Sequence, residues 1–172
     1  IQDEPLPANK KDYQKLLMKQ EGYKLAEVKG KASSAFASNW ENKIIELGKN
    51  TFGWKSLKLN FGKKQVTMTV TETNGKSYEL PFGYQQWITT TFDSYPPYSI
   101  TPIDRFKGLE GPYYASGSYA WISKEELQLK AHYVNWVSAL EITFHLEENG
   151  EVKLNVQTNY IKKPYSITGV IK

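Results

Sequence analysis

The stretch Thr143–Val156, TFHLEENGEVKLNV, decides how this chain is read. Apolar side chains fall at Ile142, Phe144 and Leu146 before the turn, and at Val152, Leu154 and Val156 after it. All six positions are even. A two-residue loop at Asn149-Gly150 would pair even with odd positions and send the two rows to opposite faces. A three-residue loop, Glu148-Asn149-Gly150 with Gly150 in the left-handed conformation, pairs even with even. Leu146 then faces Val152, Phe144 faces Leu154, and Ile142 faces Val156. A slip of one residue would turn a whole row toward water, so burial of one face fixes the register.

The same device recurs along the chain. In NKIIELG, Ile45 and Leu47 share a face. WKSLKLNF offers Leu57, Leu59 and Phe61, and QVTMTVTE offers Val66, Met68 and Val70. The connection from Gly62 to Gln65 brings Phe61 to Val66 and Leu59 to Met68. The turn TNG at 73–75 sets Val70 against Tyr78, Met68 against Leu80 and Val66 against Phe82. QQWITTTF continues as a strand. A loop from Ser123 to Glu125 places Trp121 opposite Leu127, Tyr119 opposite Leu129 and Gly117 opposite Ala131. Across the turn around Asn135-Trp136, the row Leu127 to Tyr133 faces the row Leu140 to Leu146. YSITGVI adds a further strand.

These rows, read one hairpin at a time, make a meander of strands in next-neighbour order. A long meander closes on itself, because closure removes exposed edges. No repeat of about 20–50 residues points to a propeller instead. The expected fold is therefore all-β: an antiparallel up-and-down barrel of about eight to ten strands over residues 39–172. Residues 1–38 form a linker and an N-terminal α-helix. Asn9 caps that helix, Tyr13, Leu16 and Leu17 make one face, and Gly22 ends it. The helix is expected to pack outside the barrel or across one end.

Composition narrows the chemistry. A chain of 172 residues suits one domain with a sizeable core. It has no cysteine, which excludes disulfides, thiolate metal sites and a Cys nucleophile. The 22 basic residues only slightly exceed the 18 acidic ones, so the lysines read as a solvated surface and no nucleic-acid partner is expected. No stretch is long and apolar enough to span a membrane as a helix. The opening at Ile1, rather than Met, is expected of a segment cut from a longer chain.

No catalytic residue, cofactor or metal is expected. A penicillin-recognising acylase needs Ser-x-x-Lys, and every serine here fails it: Ser34 leads to Ala37, Ser56 to Leu59, Ser118 to Trp121 and Ser123 to Glu126. Tyr133-Val134-Asn135 matches a short Tyr-x-Asn element, and its place at a strand end favours a structural role. His132 and His145 lie on outward positions, opposite Glu141 and Gln128 in the expected register. They read as surface imidazoles, since zinc wants three or four convergent ligands. Glu125, Glu126, Glu147, Glu148 and Glu151 cluster at strand ends and turns, where carboxylates are solvated.

Aromatic residues, with five Trp and 12 Tyr, are the remaining signal. Inward rows containing Tyr78, Phe82, Tyr119, Trp121, Tyr133 and Phe144 either fill a barrel or line a cavity for a small apolar ligand. Tyr95, Tyr98, Tyr113 and Tyr114 on the long proline-bearing connection, with Trp136 on its turn, are candidate contacts for a partner.

ELGKNTFGWKSLKLNF, PFGYQQW and the run from Ala115 to Val156 carry a family resemblance. Phe52-Gly53-Trp54, Gly83 with Trp87, and Ala115-Ser116-Gly117 with Trp121 resemble motifs of the C-terminal domain that follows the catalytic domain in β-lactamase-like serine hydrolases related to penicillin-binding proteins. The proline- and lysine-bearing opening resembles the linker that leaves the hydrolase domain. The resemblance implies a lipocalin-like barrel, although lipocalins proper carry Gly-x-Trp where Gly53 and Trp54 are adjacent here. It further implies a non-catalytic accessory domain, a preceding hydrolase domain as partner, and an extracytoplasmic location in the periplasm or cell envelope. The alternative reading is a binding module for a small apolar ligand.

Overall fold

Gly150 adopts φ +83°, with its N–H bonded to the Glu147 carbonyl at 3.1 Å. This is the left-handed residue that a three-residue loop demands, and a side chain there would be strained. The register follows: Phe144 pairs with Leu154, Ile142 with Val156, and Leu146 with Val152. The computed structural model describes residues 9–92, 96, 111–136, 138–147, 150–159 and 162–172, and the statements below concern these. Glu148 and Asn149 of the turn lie outside them.

The described chain forms two helices, α1 (Lys10–Gly22) and α2 (Ala37–Trp40), and ten strands. The strands are β1 (Ile44–Leu47), β2 (Trp54–Phe61), β3 (Gln65–Glu72), β4 (Ser77–Tyr84), β5 (Ile88–Phe92), β6 (Tyr113–Trp121), β7 (Glu126–Tyr133), β8 (Ala139–Leu146), β9 (Glu151–Thr158) and β10 (Tyr165–Ile171). They follow the order β4-β3-β2-β1-β10-β9-β8-β7-β6-β5. Every pairing in that series is antiparallel, and the registers expected for β2–β3, β3–β4 and β6–β7 hold residue for residue. The barrel expected from the sequence is present, and its core is the continuous set of inward rows.

Closure departs from a simple meander. β4 pairs with β6 in parallel, through Gly83↔Ser118 and Tyr84↔Tyr119. The ring therefore holds nine strands, while β5 pairs with the first half of β6 as an outer flap. QQWITTTF does not continue as one strand. Gln85, at φ +53°, turns the chain out, and the strand begins at Ile88. Gly117 makes this arrangement possible: a Cβ there would stand 2.3 Å from the Pro81 carbonyl and 2.8 Å from the Phe82 ring.

Residues before the barrel belong to it more than a boundary at 38/39 implies. An extended strap from Leu25 to Ala32 lies along the β4–β6 seam. The Trp87 indole donates to the Leu25 carbonyl, Val28 N–H to the Ser118 hydroxyl, Tyr84 to the Gly30 carbonyl and Tyr119 to the Ala32 carbonyl. Lys31 and Trp121 exchange backbone hydrogen bonds at 2.9 Å. The strap then passes into α2, which delivers Trp40, fully buried, into the barrel end. α1 begins as expected, with the Asn9 side chain accepting from Asp12 N–H. It does not pack outside the barrel or across an end, because none of its residues is buried. Neither α1 nor α2 is long and apolar enough to cross a membrane.

Replacing Gly117 with Ala should destabilise the fold by on the order of 2 kcal/mol, because backbone on the facing strand cannot move aside. Trp40→Ala should cost about 3–5 kcal/mol through the cavity it opens. Urea unfolding of both variants measures these losses. A neutral Gly117→Ala would contradict the close β4–β6 approach.

Candidate functional site

The two barrel ends are built differently. At the plugged end, Trp40 lies edge-on to Trp121, with centroids 5.9 Å apart, and to Phe144 at 5.7 Å. Phe61 stacks on Trp121 from the other side at 5.9 Å. The middle is filled by aliphatic side chains that no solvent reaches, among them Leu57, Met68, Leu129 and Leu154. The six aromatic residues expected to line one interior all sit on inward rows but do not form one lining. Phe82, Tyr119, Trp121 and Phe144 belong to the plugged end, whereas Tyr78 and Tyr133 belong to the opposite, aromatic end.

The aromatic end gathers residues that simple alternation misplaces. Trp54 is even-numbered and Leu57 odd, so period two would put them on opposite faces. A bulge between Trp54 and Ser56 adds one residue and turns both inward. Asn50 holds the preceding turn: its amide donates to the Gly48 and Trp54 carbonyls, and its oxygen accepts from the Phe52 and Trp54 N–H groups. Phe52 consequently stacks on Trp54 at 4.6 Å and meets Tyr165 edge-on at 5.6 Å. Across the same end, Tyr113 meets Trp136 edge-on at 5.6 Å.

Polar atoms lie inside this aromatic frame. Burial raises the pKa of Tyr78; the Trp54 indole N–H, which donates to its hydroxyl, pulls the other way, and the Glu72 carboxylate pushes it up further. Tyr133 is raised well above the usual tyrosine range by burial and then by Tyr78. Next to Tyr133, Ser138 accepts its backbone N–H, and Thr158 pairs with Leu140 on the next strand. Ser138 and Thr158 are each only 4% exposed, yet neither hydroxyl has a hydrogen-bond partner. The Trp136 indole N–H is also out of water and unpartnered. Among the described residues, the buried polar side chains are Ser118, Ser138 and Thr158, and no charged side chain is buried.

The other candidates resolve as follows. Tyr95 and Tyr98 lie outside the described residues. Tyr113 opens β6 instead of lying on the connection, and its alternation with Ala115 buries it. Trp136 is half-buried against it, whereas Tyr114 stays exposed. Asn135 of the Tyr-x-Asn element accepts from Tyr114 N–H and donates to the Pro112 carbonyl, a structural tie between β6 and the β7–β8 turn.

The histidines stand two residues from their expected partners: His132 pairs with Ala139, and His145 with Glu126. The turn before β8 is two residues shorter than the row pattern required, so Leu127 meets Phe144 in place of Leu146; every pair shifts by two and the apolar rows still meet. His132 is no free surface imidazole. It packs edge-on against Trp87 at 5.2 Å, and burial, followed by Lys130, lowers its pKa. Glu147 is solvated and paired with Lys153 at 2.6 Å. No group of three or more metal-ligating side chains forms among the described residues. A groove of about 500 Å³ runs between the strap and the β6–β7 hairpin, but Ser34 and Ser123 beside it already bond to backbone.

Comparison with protein-family models and with curated proteins finds no match to this chain. Among solved structures, a match is a Schistosoma mansoni fatty acid binding protein in complex with arachidonic acid. It has a TM-score of 0.49 and 10% sequence identity, and the match covers 78% of this chain and 96% of that chain.

The tyrosine pair sets an alkaline limit. Above pH about 10 the unfolded chain releases tyrosine protons that folded Tyr78 and Tyr133 retain, so stability falls as pH rises. Tyr133→Phe should flatten that fall in melting curves taken between neutral and alkaline pH. Thr158→Val should raise stability by about 1 kcal/mol, since it removes a buried hydroxyl that bonds to nothing.

Proposed function

We propose that this chain is a non-catalytic binding barrel that takes a small, mainly apolar ligand at its aromatic end. The observation that carries this reading is the pair of buried, unpartnered hydroxyls on Ser138 and Thr158, set among aromatic side chains. Buried polar groups are nearly always hydrogen-bonded, and the exceptions call for a partner. Pockets of this kind are mostly apolar with few convergent polar groups. Filled middle and plugged far end limit the ligand to a small one.

A second reading has its own support. α1 exposes Tyr13, Leu16 and Leu17, at 62%, 50% and 39%, on one face with nothing against them. Such a face suits docking on another domain, and the resemblance to hydrolase-following domains supplies one. The barrel would then serve as an accessory domain, in an extracytoplasmic hydrolase, and Ser-x-x-Lys would be encoded upstream of Ile1. Reading that coding sequence tests it, and its absence there removes the idea.

For the binding reading, the neutral probe N-phenyl-1-naphthylamine should show a saturable fluorescence rise with this protein. Ala115→Phe, which adds a ring on the inward row beside Tyr133, should weaken that binding about ten-fold, a change of 1.4 kcal/mol. No saturable rise, or one indifferent to Ala115→Phe in a variant that melts normally, overturns the proposal.

A further inference from the structure

From the same end, and resting on the binding reading above, we infer that the ligand is electrically neutral and presents an oxygen acceptor, as an alcohol, ketone or ester does. Trp136 fixes the acceptor. Its indole N–H can only donate, and it lies buried with no partner. Ser138 and Thr158 hydroxyls can each donate or accept, so an oxygen acceptor suits all three groups.

The described residues around them disfavour charge. No lysine, arginine or histidine among the described residues is buried at this end to pair with a carboxylate. An unpaired carboxylate moved out of water is costly. At the same end, beside the Tyr78 hydroxyl, the Glu72 carboxylate adds negative charge. An anionic ligand would therefore meet both desolvation and repulsion. An ammonium ligand would be attracted by Glu72 and the aromatic rings, but it would leave the Trp136 donor facing another donor. A hydroxyl or carbonyl oxygen on an apolar body meets every group without a buried charge.

The test titrates the protein at pH 8 with 1-octanol, octanoate and octylammonium by isothermal calorimetry. Octanol should bind at least ten-fold more tightly than either charged relative. Ser138→Ala and Thr158→Val, both close in shape to the native residues, should each reduce octanol affinity several-fold and leave the charged ligands unchanged. Octanoate or octylammonium binding as tightly as octanol overturns this inference while leaving the barrel a binding module. If none of the three binds and N-phenyl-1-naphthylamine does not bind either, the binding reading itself falls.

Discussion

The parallel contact between Gly83–Tyr84 and Ser118–Tyr119 closes the barrel, and the rest of the structure depends on it. Two residue pairs are a slender seam, and parallel pairing is slightly weaker per residue than antiparallel. The chain reinforces it from both sides. Gly117 lets the Pro81 carbonyl come close, and the strap from Leu25 to Ala32 binds side chains on both strands. Most of those hydrogen bonds run from barrel side chains to strap backbone, so they constrain strap composition little except at Gly30, where a Cβ would stand 2.3 Å from the Trp121 carbonyl, and at buried Val28. This explains why a loosely polar stretch can have a definite place.

Closure also decides where chemistry can reside. Trp40 fills one end, where its indole N–H and that of Trp121 are buried without partners, aliphatic rows fill the middle, and the inward buried hydroxyls of Ser138 and Thr158 lie at the other end. Ser138 and Thr158 are costly there as they stand, because a buried hydroxyl without a partner forfeits its bonds to water. Valine or alanine would pack as well at both positions. Their presence in a frame of tyrosine and tryptophan is what gives that end a functional reading.

Much of the fold was legible, and particular residues show why. Glycine at 150 and the even-numbered rows around it were enough for the last hairpin, because a two-residue period leaves one register that buries both rows. The same logic placed Tyr78, Phe82, Tyr119, Trp121, Tyr133 and Phe144 inward. It misplaced the histidines and the facing rows of β7 and β8 by two residues, since a turn shorter by two still sets apolar positions against apolar ones. It missed Trp54, because a bulge breaks the period without any signal in the pattern. It missed Trp40 as the plug, because one tryptophan on a four-residue helix has no periodicity to read.

By itself, then, the sequence determined the strands, their faces and most neighbouring registers. These follow from alternation and loop length, which act over a few residues. Only the tertiary structure decided that β4 meets β6, that the strap lies on their seam, and that the two ends differ. Those pairings join residues far apart in the chain, and nothing local to Gly83, Ser118 or Val28 encodes its partner. They are fixed by the closed ring, which brings the β4 edge to β6 and the strap backbone onto their seam.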